Sequence, residues 1–359
     1  MDFTIDELNF DEMLKDCEEK RQKCGTHFFS DSEHPLTIYK KVVDISENHQ
    51  EIEYLSDIKY YGLSEYDFHI VNMHRQKQKE YLDKTCLYDK ITEQYIPLAD
   101  ITMSANHNAH RYYAEIQNRI NTLVNDAESK KLVPIFMTIT LPSEYHKMKT
   151  NKITQKLIYN PLYNGVTPRA ATKELTKMFA KLRHDRSLKE LSKDERIYYR
   201  VNEPHKDGTP HTHILMFIPK SIVNRVVKAF NRLFNPKTNK IETKIRNASA
   251  YIMKYINKTL PLSKQSKLTE KEKYLNAWYS MNRVIRFNSS RTLAPLSLYR
   301  LLYHRYTLQE LTMKVRNKDF SIFVRADNRD KIMEILDGDE LVYSRSENFR
   351  IESIPIQDF

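Results

Sequence analysis

Glycine is scarce in this chain of 359 residues, with only Gly25, Gly62, Gly165, Gly208 and Gly338. A Walker A phosphate loop needs two glycines five positions apart. No pair of these has that spacing, which excludes a P-loop ATPase or helicase module. Cysteine is scarcer still, with Cys17, Cys24 and Cys86. Three scattered thiols give neither a disulfide framework nor a zinc spacing, and they suit a reducing compartment. Long apolar runs are missing; the longest are pieces such as ILMFI at 214–218, far short of the ~18 residues of a membrane span. The first residues, MDFTIDELNFDEM, are acidic and lack the basic start and apolar run of a signal peptide. The expectation is a cytoplasmic protein with no membrane partner. There is one tryptophan, Trp278, and no internal repeat or low-complexity tract.

Charge is plentiful and unevenly placed. The net charge is +11, yet residues 1–100 hold 12 Lys and Arg against 22 Asp and Glu, and residues 327–359 hold 4 against 9. Residues 101–326 therefore hold 42 basic and 16 acidic groups, a net of +26. A lysine-rich proteome would raise lysine everywhere, which the acidic ends contradict. A basic block between acidic ends implies a polyanionic partner, most simply nucleic acid. The boundaries expected from this pattern are an acidic N-terminal accessory region at 1–105, a basic domain at 106–315 and an acidic C-terminal tail at 316–359.

The most informative stretch is YYRVNEPHKDGTPHTHILMFIP at 198–219. Asp207-Gly208 is a strong hairpin signal between two runs rich in branched and aromatic residues. Side chains alternate along a strand, so His211 and His213 share a face. Folding back about the turn sets residue 203 or 204 opposite 211, which lets Glu203 join the two histidines. Two imidazoles and a carboxylate with open positions suit a divalent metal that also holds a substrate oxygen. His205, nearer the turn, is the alternative third ligand. The plain alternative is a hairpin with surface histidines.

A second stretch, ASAYIMKYINK at 248–258, fits a helix. At ~100° per residue, Tyr251, Lys254, Tyr255 and Lys258 share one face and Ile252, Met253 and Ile256 the other. Two phenols stand between two ammonium groups, opposite an apolar face that packs on a sheet. A solvated face is the bland reading. Around these stretches the pattern predicts a helix at 107–130, with Tyr112, Ile116, Ile120 and Val124 inward, and a strand at 133–141. Helices follow at 167–184, capped by Thr167 and Pro168, and at 221–234, with a short strand at 241–245. On the 133–141 strand Thr138 and Thr140 face one way, the side open to a substrate, although β-propensity alone explains them. At 283–305, Arg283, Arg286 and Arg291 interleave with Phe287, Tyr299 and Tyr303, as in single-strand binding by phosphate pairing and base stacking.

With these stretches in hand, the chain resembles the HUH endonucleases that start rolling-circle replication, and most closely the bacteriophage replication gene A protein family. FMTITLPSEYH at 136–146 is similar to that family's first strand motif, EPHKDGTPHTH at 203–213 to its metal motif, and YIMKYINK at 251–258 to its two-tyrosine motif. RVIRFNSSRTLAPLSLYRLL at 283–302 is similar to its arginine-rich segment. Thr212 departs from the bulkier hydrophobic residue that the superfamily usually places between the histidines. The likeness covers about 107–306.

The resemblance implies an α+β fold in which flanking helices cover a central antiparallel sheet, a modified ferredoxin-like or RNA-recognition-motif-like palm, with a largely helical N-terminal region beside it. It also implies nicking and rejoining of single-stranded origin DNA through a 5′-phosphotyrosine on Tyr251 or Tyr255. Lys254 and Lys258 would favour the phenolate, and Mg²⁺ or Mn²⁺ would sit on Glu203, His211 and His213. A host helicase and polymerase are the implied partners. The rivals are a DNA-binding protein without chemistry on the same scaffold, a plasmid relaxase or single-tyrosine transposase, and a zinc hydrolase. Relaxases of this superfamily order the tyrosine and histidine motifs the other way, and no third histidine or cysteine stands at metalloprotease spacing.

Overall fold

The computed structural model describes residues 58–154, 157–260, 268–325, 331–345 and 348–353. Most of the expected acidic N-terminal region, residues 1–57 with Cys17 and Cys24, lies outside them, as do residues 354–359. Residues from Lys59 onward form one compact unit.

Five strands make the central sheet: β1 (Val133–Thr140), β2 (Ile197–Pro204), β3 (Pro210–Ile218), β4 (Lys240–Glu242) and β5 (Phe287–Ser289). Their order is β4-β1-β3-β2-β5, and every neighbouring pair is antiparallel. The chain is α+β, with antiparallel sheets and flanking helices, as expected.

Alternation along β1 and β3 explains why helices cover both faces. Ile135, Met137, Ile139, Ile214, Met216 and Ile218 point one way and are fully buried. They pack against α3 (Pro168–Arg183) and α4 (Val223–Leu233) through Leu175, Phe179, Val226 and Phe230. Thr167 caps α3, and Pro168 opens it, where its missing N–H costs nothing. The other face carries Phe136, Leu215, Phe217, Ile197, Tyr199 and Val201. It packs against α2 (Ala109–Ser129) through Ile116, Ile120 and Leu123, and against α5 (Ala248–Thr259) through Ile252 and Ile256. Burying a side chain of this size contributes ~1.5–3 kcal/mol, so α5 is anchored mainly by its two isoleucines.

Two further regions carry secondary structure outside the central sheet. After the turn at Tyr61-Gly62, α1 (Glu65–Lys84) is opened by a Ser64–Asp67 capping box. It packs on α6 (Glu270–Asn282), where the Phe68 and Tyr274 rings stack at 4.4 Å. The acidic C-terminal stretch forms strands, the strand pair its sequence allowed: Phe320–Val324, Ile332–Asp337 and Glu340–Ser344 make one sheet. Phe349–Ser353 returns to pair with Thr85–Asp89. The region 58–105 likewise mixes helix and strand, where a largely helical region was expected. No described helix is long and apolar enough to cross a membrane.

Candidate active site

The hairpin β2–β3 turns through residues 205–209, closed by His205 N–H to Thr209 O at 2.8 Å and Gly208 N–H to His205 O at 3.0 Å. Gly208 has φ +86, and a Cβ there would collide with the Tyr61 carbonyl oxygen. The Trp278 indole N–H donates to the Gly208 carbonyl at 3.0 Å, and the Tyr279 hydroxyl donates to the Asn202 carbonyl. The turn is therefore fixed from outside by α6 and by the backbone at Tyr61. Sequence reasoning assigned neither of these a part in the site.

The register sets Glu203 opposite His211 on β3, and His211 opposite Thr140 on β1. His213 stands between Val201 and Thr138. The expected three residues converge: His211 Nε2 and His213 Nε2 lie 3.1 Å apart, and Glu203 Oε2 lies 3.8 Å and 3.7 Å from them. All three are buried, and they form the one group of metal-ligand type found among the described residues. His205 lies against His211, with ring centroids 4.1 Å apart, but does not belong to that group. It sits beside His146, whose Nδ1 is 2.9 Å from Asp207 Oδ2. Ligands at ~2.1 Å from an ion and at right angles stand ~3.0 Å apart, or ~3.4 Å when tetrahedral. The observed separations are close to these. The other Glu203 oxygen, Oε1, is buried without a hydrogen-bond partner among the described residues, as a site built to bind a cation leaves it.

The ionisation states favour such binding. Burial lowers His211 well below the ordinary imidazole range, and the neighbouring His205 and His213 add to this, so His211 is neutral near pH 7. Burial also lowers His205, to about 4. Burial would raise the Glu203 carboxyl, but the hydrogen bonds and charges of His213 and Lys258 together outweigh it and hold the carboxyl below its usual range. The neutral imidazole of His211 and the ionised carboxylate of Glu203 are in their ligating forms.

Thr138 and Thr140 do face the site. Thr138 Oγ1 lies 3.1 Å from His213 Nδ1. With Nε2 directed at a metal, Nδ1 carries the proton and donates to that hydroxyl, which fixes the ring. Thr138 thus supports His213 and need not meet DNA. The Thr140 backbone N–H donates to Asn239 Oδ1 at 2.8 Å. Thr212 is fully buried on the far face and donates to the Val201 carbonyl at 3.2 Å, which satisfies its hydroxyl there.

α5 begins at Asn247, whose Oδ1 accepts the Ala250 N–H at 2.8 Å. Its two tyrosines lean toward the sheet: Phe136 contacts both rings, at centroid separations of 4.6 Å (Tyr251) and 5.2 Å (Tyr255). The expected opposition of phenols and isoleucines is therefore softer than a helical wheel suggests, since both kinds of residue touch the sheet. The Tyr255 ring lies 4.1 Å from the His213 ring. The Tyr251 hydroxyl instead donates to Glu242 Oε2 at 2.8 Å, on edge strand β4. Burial and then this bond raise the Tyr251 phenol; burial raises Tyr255 as well. Glu242 was not singled out from the sequence. An acid on the strand just before the helix was the available signal.

The two lysines part company. Lys258 Nζ lies 2.5 Å from Glu203 Oε2, so its direct partner is the carboxylate rather than a phenol. Lys254 is exposed and makes no ion pair among the described residues. The arginines also divide. Arg283 and Arg291 are exposed. Arg286 is interior, which corrects the expectation that it meets DNA. It donates to the Thr259 carbonyl and to Asn276 Oδ1, the latter at 2.9 Å, and lies 3.8 Å over the Tyr279 ring. It ties the end of α5 to α6.

Known proteins resemble this chain over part of its length. The "Replication protein" of Haemophilus phage HP1 is 28% identical over 215 residues, covering 55% of this chain and 26% of that protein. The "Probable replication endonuclease from prophage-like region 1" of Salmonella typhi is 30% identical over 213 residues, 52% of this chain and 25% of that protein. The "Replication gene A protein" of Escherichia phage P2 is 28% identical over 206 residues, 53% and 26%. The chain thus spans about a quarter of the length of these curated relatives. No solved structure matches it significantly. Residues 58–262, which run from the Tyr61 turn through the hairpin to the end of α5, match the model of the family described as Bacteriophage replication gene A protein (GPA), and the chain belongs to that family.

Proposed function

We propose that this chain nicks and rejoins single-stranded DNA at a replication origin, through a covalent 5′-phosphotyrosine and with a divalent cation, as a rolling-circle initiator of phage type. One observation carries the reading: three convergent ligand atoms of Glu203, His211 and His213 lie beside a tyrosine whose ring is 4.1 Å from His213. The β4-β1-β3-β2 order, with α3 and α4 as crossovers, supports the ferredoxin-like palm of HUH enzymes. The relatives named as replication proteins and endonucleases support the reaction class.

Glu203, His211 and His213 would hold Mg²⁺ or Mn²⁺. When bound, the ion supplies Lewis-acid polarisation of the scissile phosphate. Tyr255, nearer the cluster, is the first nucleophile. Its O–H gives way to an O–P bond, the P–O3′ bond breaks, and the leaving 3′ oxygen takes up a proton. Nothing else is consumed, so the link conserves the energy for rejoining and no ATP is required. Tyr251, one turn away and held by Glu242, serves the second strand transfer. The free 3′-OH primes a polymerase, and a helicase opens the duplex; both are partners in trans.

Incubation with a pool of single-stranded oligonucleotides and Mn²⁺, followed by denaturing electrophoresis, tests this directly. A stable adduct is expected, and its absence across the pool would contradict the proposal.

A further inference from the structure

β2 carries Glu203 near one end, and a second basic site lies at the other. A cleft of about 890 Å³ is bordered by Ile197 and Tyr198 at the start of β2 and by Ser289 and Ser290 at the end of β5. Lys130, Arg183, Lys193, Arg196, Arg291 and Arg316 line it, against only Asp126 and Asp194. The two acids are already engaged: Lys130 pairs with Asp126 at 2.7 Å and stands 3.8 Å from Asp194, and Arg316 pairs with Asp126 at 3.1 Å. Arg183, Lys193, Arg196 and Arg291 make no ion pair among the described residues.

Some of this charge has a structural cause. Lys130, Arg183 and Arg316 sit at helix C-termini, where cations complement the helix dipole. Arg196 donates to the Arg183 and Leu188 carbonyls at 3.1 and 3.2 Å. Lys193 and Arg291 are exposed on connecting segments, and neither role explains them. The Arg183 guanidinium lies 5.0 Å and 5.8 Å from the Phe179 and Tyr198 rings, and its buried Nε lacks a partner among the described residues. The cleft thus combines uncompensated cations, the partly buried Tyr198 ring and the 54% exposed Leu293, a makeup suited to a single-strand backbone.

We infer that this cleft holds the sugar-phosphate backbone of single-stranded DNA away from the cleavage point, an inference that rests on the nicking reading. Six residues of β2 separate Ile197 from Glu203, ~20 Å at ~3.3 Å per residue. At ~3.4 Å per stacked nucleotide the two contacts lie about six nucleotides apart, fewer if the strand is extended. The cleft would keep hold of one strand while the tyrosines exchange ends.

The test uses the full chain and oligothymidylates of about 6 and about 30 nucleotides, with binding measured against salt and without metal. Each backbone contact contributes ~0.7 to the slope of log Kd on log salt. Lys193→Ala/Arg291→Ala should lower the slope on the long oligomer by about 1.4 and remove most of the affinity gained over the short one. Asp194→Lys, on a side chain that is 85% exposed, should steepen the slope by about 0.7. Unchanged slopes in both variants would overturn the inference, and so would a loss seen only with duplex DNA. Adduct formation by the wild-type chain on the oligonucleotide pool reports separately on nicking, so failure of one reading is told apart from failure of the other.

Discussion

The Lys258 ammonium lies 2.5 Å from Glu203 Oε2, joining a mostly exposed side chain of the tyrosine helix to a carboxylate that is 1% exposed on the histidine hairpin. The same oxygen is the one that faces His211 and His213. After His213, Lys258 therefore helps to hold the carboxylate ionised, and it would compete with a divalent cation bound there. Lys258→Met should tighten Mn²⁺ binding by about tenfold, because a like charge leaves the site. It should also slow adduct formation by ten- to a hundredfold, because a cation facing the phosphate is lost. Titration of Mn²⁺ by calorimetry and single-turnover kinetics separate the two effects, and weaker Mn²⁺ binding would refute the competition.

Thr138 holds His213 through Nδ1. Replacing such a support typically weakens metal binding 10- to 100-fold. Thr138→Val should do so with the fold intact, whereas Thr138→Ser should restore much of the affinity. His211→Ala and His213→Ala should each remove Mn²⁺-dependent nicking, and chelation by EDTA should do the same to the wild-type chain. Nicking by either alanine variant at the wild-type rate would rule out the cation site.

The two tyrosines should behave differently. Tyr255→Phe should abolish the first adduct, and Tyr251→Phe should leave it in place but block completion of a round. Glu242→Gln replaces the charged acceptor that keeps the Tyr251 phenol protonated with a neutral amide oxygen. It should raise the share of adduct on the Tyr251 peptide, read by mass spectrometry. An unaltered share would show that Glu242 does not separate the two phenols.

The histidines make metal-free stability pH-dependent. His205 has its folded pKa at about 4, below the ordinary value near 6.5. Its contribution is complete above pH ~6.5 and is lost as pH falls toward ~4, because the unfolded chain takes up the proton first. His211 acts in the same direction. Melting temperature should therefore drop across that window, and His205→Gln should flatten the drop. A melting temperature that stays level from pH 7 to 4 would contradict this.

Arg286 and Arg291 give a further contrast. Arg286→Ala leaves the Thr259 carbonyl and Asn276 Oδ1 without their donor, and each buried acceptor so stranded costs ~1–3 kcal/mol. The variant should lose stability in denaturant melts while the salt dependence of its DNA binding stays near wild type. Arg291→Ala should show the reverse.

Much of the site was legible because its signals are local. The Asp207-Gly208 turn and strand alternation set Glu203, His211 and His213 on one face, and the register put Glu203 opposite His211. The Asn247 cap and the spacing of Ile252 and Ile256 produced α5 where the pattern placed it. The rest depends on contacts distant in sequence. Arg286 reads as a surface cation until α6 is folded over it, and the Tyr61–Gly208 contact joins segments 147 positions apart. The pairing of Phe349–Ser353 with Thr85–Asp89 likewise joins segments far apart in sequence, which no local pattern reveals.

The most direct test of the central claim is peptide mapping of the adduct formed on single-stranded DNA with Mn²⁺. The site geometry predicts a 5′-phosphate on Tyr255, lost in Tyr255→Phe and absent altogether from the Tyr251→Phe/Tyr255→Phe double variant. A denaturation-resistant adduct that survives in the double variant would contradict it.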